Sequence, residues 1–154
     1  MPFTKINGID LYYETHGNGP ALVLAHGGGG SHLSWWQQVP ELSQTYTVIT
    51  FDHRSFGQSR DLPDGPGPRA FVQDLTALLD HLGMGPAHVA GLSLGSAVAM
   101  ELGAARPDLV KSLHLHGAWA RSDRWFSEMM EIMEYPARQG DMRQFLRLAL
   151  PCIL

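Results

Sequence analysis

Gly91-Leu92-Ser93-Leu94-Gly95 follows a short apolar run, residues 87–90, and precedes a segment of helical composition that begins at residue 96. A serine between two glycines at a strand-to-helix junction is the pattern of a nucleophile elbow, a tight turn that holds the serine side chain above a sheet. The strained turn requires minimal side chains two positions before and after the serine, and Gly91 and Gly95 meet that requirement. We therefore predict Ser93 as a reactive residue at the start of a helix, where the helix dipole favours negative charge.

Apolar runs that surround this turn are predicted as strands, with helices between them. The predicted strands are residues 9–13, 21–25, 46–51, 87–90 and 109–116, and the predicted helices are residues 35–42, 68–82 and 94–105, the first with a cap at Ser34. The second and third runs are nearly continuous, as strands buried on both faces must be. The first run alternates, which suits a strand nearer the sheet edge. This order predicts an α/β fold with a doubly wound, mostly parallel sheet.

From Trp119 onward, bulky apolar residues recur at helical spacing as far as Met142, interrupted by Pro136 and Gly140. This pattern predicts two or three short amphipathic helices. Packing among these helices and a lid over a site explain the pattern equally well. We therefore expect a core domain over residues 1–118 and the start of a helical cap or lid over residues 119–154.

A run of glycines, His26-Gly27-Gly28-Gly29-Gly30, directly follows the predicted strand at residues 21–25. Consecutive glycines let the backbone approach a ligand closely. A phosphate-binding loop of the Walker type would end in Gly-Lys-Ser/Thr, and no such ending follows here. Together with the elbow, the loop predicts an oxyanion hole formed by the N–H groups of Gly28 and Leu94. A flexible turn without a role is the alternative.

A third motif, Asp52-His53-Arg54-Ser55-Phe56-Gly57-Gln58-Ser59, closes the strand at residues 46–51. With the His-Gly-Gly loop and the Gly-x-Ser-x-Gly elbow in this order, residues 8–120 resemble the N-terminal half of an α/β-hydrolase fold protein. Within that family the chain is similar to small carboxylic-ester and lactone hydrolases, such as 3-oxoadipate enol-lactonase, and to cofactor-free haloperoxidases. Ser55 stands where the family usually has glycine, so we expect a slightly different turn. Asp52 and Arg54 are expected to hold loops together by charged hydrogen bonds.

The resemblance implies that a catalytic acid and then a histidine follow Ser93 along the chain, and that neither a cofactor nor a metal is needed. His114 and His116 are the only histidines after Ser93, and both lie in the strand after the elbow helix. His116 could reach towards the site as a base. Alternatively, it is only a hydrogen-bonded polar residue at the end of a strand, without a catalytic role. We expect the chain to be the N-terminal half of a hydrolase, with a sheet incomplete at its C-terminal side and the catalytic acid and base missing.

The composition is that of a globular protein, with 44% apolar residues, 17% charged residues and a net charge of −4. Mixed charges argue against nucleic acid or an anionic membrane as a partner. Cys152 is the only cysteine, so an intramolecular disulfide is excluded. Because no signal peptide and no membrane-spanning run is found, we expect a cytoplasmic protein.

Two functional hypotheses follow from these patterns. The first is a serine hydrolase that acts on a small-molecule ester or lactone through an acyl-enzyme on Ser93. The second is a truncated, non-catalytic paralogue that binds a small ligand or a partner chain, with self-association through the incomplete sheet edge. A third interpretation keeps the fold and the nucleophile but changes the reaction, for example to C–C bond hydrolysis or a lyase.

Overall fold

A computed structural model of the protein describes residues 3–141, 143–145 and 147. The chain forms two compact units, Met1–Ala118 and Trp119–Leu154. The elements of the first unit are β1 (Phe3–Ile6), β2 (Ile9–His16), β3 (Ala21–Ala25), a 3-10 helix (His32–Trp35), α1 (Val39–Leu42), β4 (Thr47–Phe51), a 3-10 helix (Gly67–Ala70), α2 (Phe71–Leu82), β5 (Ala87–Leu92), α3 (Leu94–Ala105), a 3-10 helix (Pro107–Leu109) and β6 (Val110–His116).

The six strands form one sheet in the order β1-β2-β4-β3-β5-β6. Strands β4, β3, β5 and β6 are parallel, while β1 and β2 are antiparallel to their neighbours, which confirms the predicted mostly parallel α/β sheet. The chain crosses over at β3, which lies between β4 and β5. Because Ala25 of β3 pairs with Gly91 of β5, the glycine loop and the Ser93 turn leave the same edge of the sheet. Ligands of open α/β sheets bind at such a crossover.

The sequence-based prediction missed β1, which lies at one edge of the sheet. It forms a hairpin with β2 around the two-residue turn Asn7-Gly8, with Ile6 paired to Ile9. Both turn residues have positive φ angles, 46° and 85°, as a type I′ turn requires. The strand after it was placed near the edge of the sheet, which is confirmed, but it extends to His16 and runs antiparallel to β4.

Apolar side chains cover both faces of the sheet. On the face packed against α2 and α3, the buried set includes Leu11, Val23, Ile49, Phe51, Leu75, Leu78, Leu79, Val89, Val98 and Leu102. On the other face, Leu22, Leu24 and Val48 pack against side chains of the segment from residue 35 to residue 46. This double burial explains why β3 and β4 are continuous apolar runs in the sequence.

The helix predicted at residues 35–42 is shorter and begins differently. A 3-10 turn comes first, capped by Ser31, whose side chain accepts a hydrogen bond from the N–H of Leu33. The prediction of Ser34 as the cap is therefore wrong, because Ser34 lies inside this turn and bonds back to Ser31. The α-helical part is confined to the four residues of α1, with Pro40 in its first turn, where a proline is tolerated.

Two buried charged groups after β4 tie distant parts of the chain together. Asp52 accepts hydrogen bonds from the backbone N–H of His32 at 2.6 Å and from its Nδ1 at 2.8 Å. The guanidinium of Arg54 donates to both carboxylate oxygens of Asp74, at 2.6 and 2.8 Å, and to Asp61 at 2.9 Å. The side chains of Asp52 and Arg54 are fully buried. The predicted structural role of this turn is confirmed.

The second unit contains α4 (Arg124–Arg138), and the rings of Trp119 and Phe126 lie 5.0 Å apart within it. The prediction that Pro136 breaks this helix is wrong, because the proline lies inside the last turn of α4. Met142 and Cys152 lie outside the described residues. None of the helices described is both long and apolar enough to cross a bilayer. A lid function for this unit stays a prediction.

The backbone of Ser55 is strained, because it has a φ angle of +68°, and this strain can be tested by substitution. A left-handed backbone costs an L-residue about 1–2 kcal/mol, and glycine adopts it freely. The greater freedom of glycine in the unfolded chain opposes the gain by about 0.4–1 kcal/mol. We expect Ser55→Gly to raise the free energy of unfolding by about 0.5 kcal/mol, measured by urea denaturation. Ser55→Ala keeps the strain and serves as the control; a glycine variant no more stable than the alanine variant contradicts the prediction.

Candidate active site

Ser93 lies on a left-handed turn between β5 and α3, with φ 52° and ψ −112°. It is exposed. Its N–H donates to the carbonyl of His116 at 2.8 Å, and its carbonyl accepts from the N–H of Ser96 at 2.9 Å. Hydrogen bonds on both sides therefore hold a backbone conformation that is unfavourable for any residue except glycine.

The two glycines of the elbow allow this turn by close backbone contact. A Cβ atom at Gly91 would collide with the backbone of Gly95, and a Cβ atom at Gly95 would collide with the carbonyl of Ala25. The contact between Gly91 and Gly95 brings the two ends of the turn together. The contact between Gly95 and Ala25 packs the start of α3 directly onto the end of β3. The sequence argument for minimal side chains at these two positions is confirmed by these contacts.

The glycine loop lies beside the elbow. A Cβ atom built on Gly27 would lie 3.5 Å from the Cβ of Ser93. The carbonyl of Gly27 accepts a hydrogen bond from Nδ1 of His26 at 2.7 Å and another from the N–H of Gly30 at 3.1 Å. In a trans peptide the C=O and the following N–H point in opposite directions. Because these two hydrogen bonds direct the Gly27 carbonyl towards the buried His26 ring, the Gly28 N–H points away from it. Sequence analysis placed His26 in the loop without a role, and no spacing rule would have indicated one.

The two amides predicted for an oxyanion hole are those of Gly28 and Leu94. Among the described residues, no acceptor takes the N–H of Gly28 or the N–H of Leu94. Gly28 is exposed, whereas Gly27 is buried. Leu94 is the first residue of α3, so its N–H is one of the free donors at a helix N-terminus. An oxyanion hole requires two backbone donors of this kind, and the role of Gly28 and Leu94 in one stays a prediction.

No imidazole partner of Ser93 is found. All eight histidines of the chain lie in its described part, and none forms a hydrogen bond with the Ser93 hydroxyl. His116 forms hydrogen bonds to the elbow through its backbone only, and its side chain is exposed. One histidine does contact a serine hydroxyl, since Nδ1 of His88 lies 2.7 Å from Oγ of Ser112, on neighbouring strands β5 and β6. In the portion of the chain that is described, no cluster of three or more His, Cys, Asp or Glu side chains could hold a metal ion.

Residues 20–151 match the family described as the alpha/beta hydrolase fold. This chain belongs to the α/β hydrolase family. A relative from Azorhizobium caulinodans, named "Putative carbamate hydrolase RutD", is 38% identical over 86% of this chain and 50% of its own length. A thermophilic esterase from Thermogutta terrifontis is 32% identical, with a TM-score of 0.76 over 90% of this chain and 51% of the other. An α/β hydrolase enzyme from a deep-sea metagenome library, at 24% identity, shows the fold with a TM-score of 0.91 over 97% of this chain and 56% of the other.

This α/β hydrolase chain spans about half the length of the curated relatives it matches. The fold predicted from the three motifs is confirmed. The roles predicted for Ser93, Gly28 and Leu94 stay predictions.

Two buried histidines lie beneath the site. Nε2 of His26 accepts the backbone N–H of His53 at 3.1 Å while Nδ1 donates to Gly27, so His26 is neutral, and burial lowers its pKa. The ring of His53 is 1% exposed, among the rings of His26, Phe51 and Phe71, and neither of its nitrogens has a partner among the described residues. Burial lowers the pKa of His53 to about 3. The hydrogen bonds of His26 and the low pKa of His53 therefore keep both rings uncharged at neutral pH.

This burial predicts loss of stability in mild acid. Because the pKa of His53 is lower in the folded hydrolase than the usual 6.5, the unfolded chain takes up the proton first as the pH falls. The stability is fully present above pH 6.5 and is lost between pH 6.5 and about 3. We expect His53→Leu to reduce the difference between the free energies of unfolding at about pH 7.5 and about pH 5 by about 2 kcal/mol. Urea denaturation at the two pH values measures it.

The matched control is His114→Leu, the same change at an exposed position on β6. It should change the difference between the two free energies of unfolding by less than His53→Leu does. If the His53 variant loses stability in acid as steeply as the parent, His53 is not the buried neutral group inferred here.

Proposed function

We propose that this α/β hydrolase is a serine hydrolase in which Ser93 attacks a carbonyl carbon. The single observation that carries the proposal is the exposed Ser93 on its left-handed turn, packed against Gly27 of the glycine loop, with N–H groups at Gly28 and Leu94 that find no acceptor among the described residues. A nucleophile elbow needs this geometry, because the serine hydroxyl must face two donors that stabilise the oxyanion.

In the proposed reaction, Oγ of Ser93 forms a bond to the carbonyl carbon and its proton passes to a general base. The carbonyl electrons move to the oxygen, which accepts hydrogen bonds from Gly28 and Leu94. Collapse of this intermediate expels the leaving group, which takes up a proton, and water then hydrolyses the acyl-enzyme. Since no described imidazole bonds to Ser93, we propose that the base belongs to a part of the hydrolase outside the described residues.

The proposed substrate is a small carboxylic ester or lactone. The name of the Azorhizobium relative mentions a carbamate and that of the Thermogutta neighbour an esterase. Esters, lactones and carbamates share a carbonyl carbon bonded to a heteroatom that can leave, so one nucleophile and one oxyanion site serve all three. The same geometry serves C–C hydrolysis less directly, because carbon is a poorer leaving group.

Labelling with a fluorophosphonate tests the nucleophile in this chain. We expect slow, selective modification of Ser93, identified by mass spectrometry of peptides and abolished in Ser93→Ala. Without an imidazole partner the reactive species is the rare alkoxide, so the labelling rate should rise about tenfold for each pH unit between about pH 6 and 9. A plateau near pH 7 would instead reveal a histidine partner such as His116.

Ser112→Ala is the matched control, because Ser112 is the serine that contacts an imidazole, that of His88. It should label at the parental rate. If modification occurs at Ser112 or at no serine, the nucleophile proposal fails and a non-catalytic ligand-binding hydrolase fold is the better interpretation.

The oxyanion donors are tested at Gly28. A Cβ atom there has no neighbour within 4 Å, so Gly28→Ala keeps the amide and fits without a clash. Gly28→Pro removes the amide N–H. We expect the proline variant to label at Ser93 about a hundredfold more slowly than the alanine variant, since loss of one oxyanion donor costs about 10²–10³ in rate. Equal rates in two folded variants would exclude Gly28 as a donor.

A further inference from the structure

A buried serine hydroxyl links the elbow to β6. Ser96, the third residue of α3, is fully buried. Its Oγ lies 2.7 Å from the carbonyl of Gly91 and 2.9 Å from the carbonyl of His116, and it accepts the N–H of His116 at 3.1 Å. A hydroxyl carries one proton, so it donates to one of these carbonyls at a time while accepting from the amide. The hydroxyl thus joins the end of β5 to the end of β6.

This link lies where the strands separate. The ladder between β5 and β6 ends with the pair Leu92 and His116, and β5 then turns away at Ser93. Here the Ser96 hydroxyl accepts the N–H of His116 and donates to the carbonyl of Gly91. It therefore provides a hydrogen-bond partner for a backbone group of each strand. An alanine at position 96 would leave the Gly91 carbonyl and the His116 amide without this partner.

The backbone of His116 also forms a hydrogen bond with Ser93. The carbonyl of His116 accepts the Ser93 N–H at 2.8 Å, which is the hydrogen bond that fixes the amide side of the left-handed turn. Ser96 therefore bonds to the residue on which the Ser93 backbone rests. Because the Ser96 side chain is fully buried, it has no surface with which to contact a substrate.

We propose that Ser96 is a positioning residue for Ser93, acting through the backbone of His116. The proposal rests on the proposed role of Ser93 as nucleophile. Its hydroxyl sets the separation of the ends of β5 and β6 and, with it, the direction of the Ser93 side chain. A displacement of a reacting group by about 1 Å lowers a rate by as much as about a hundredfold.

Ser96→Ala tests the proposal in the 154-residue chain with the fluorophosphonate probe. We expect the maximal inactivation rate at Ser93 to fall about tenfold with an unchanged concentration dependence, because Ser96 does not touch the probe. Amide hydrogen exchange, followed by NMR, should accelerate at His116. A residue that only stabilises the fold would not lower the maximal rate of the folded protein.

Ala104→Gly is the control, because it weakens an exposed position of α3 far from the elbow. It should lower thermal stability without changing the maximal labelling rate per folded molecule. If Ser96→Ala labels as fast as this control, the positioning role is overturned even if the exchange at His116 changes. If the parent chain itself is not labelled at Ser93, the proposed nucleophile fails, and the role of Ser96 falls with it.

Discussion

The left-handed backbone of Ser93 is the constraint on which the candidate site depends. An L-residue at φ 52° is strained, and the strain persists only where its surroundings leave no alternative. Here the carbonyl of His116 holds the amide, the first turn of α3 holds the carbonyl, and Gly91 and Gly95 admit no side chain. The turn therefore requires β3, β5, β6 and α3 together. The pentapeptide is necessary for the site, but the assembled sheet edge creates it.

Neutral histidines support the same edge. His26 donates from one nitrogen and accepts at the other, an arrangement available only to the uncharged ring. Protonation would replace the acceptor for the His53 amide with a donor and would loosen the link between the glycine loop and β4. Burial of His26 and His53 lowers both pKa values, in the direction that favours the neutral rings this arrangement needs. The hydrogen bonds that hold the Gly27 carbonyl, next to the proposed donor Gly28, therefore do not depend on a charged group.

Local patterns predicted the inner part of the fold. Strands β3 and β4 and helix α3 were placed to within a residue, because buried parallel strands are continuous apolar runs and glycine or proline marks their ends. β1 was missed, although Asn7-Gly8 carries a hairpin signal. Partners were not predictable: Asp52 and Arg54 bond to residues 20 positions away, which only the folded sheet brings close. The same holds for His26 and Ser96, whose roles follow from tertiary contacts and not from spacing.

The two halves of the proposed chemistry have different structural requirements. Stabilising an oxyanion needs only backbone N–H groups in fixed directions, and the groups we propose for it are those of Gly28 and Leu94. Accepting the proton of Ser93 needs a mobile side-chain base whose pKa suits the task, and no histidine described here bonds to the hydroxyl. Because the proposed nucleophile and both proposed donors lie in the first unit, their geometry does not depend on where the proton acceptor lies. Such a chain would distinguish binding of the oxyanion from activation of the serine, two contributions that are coupled in an intact triad.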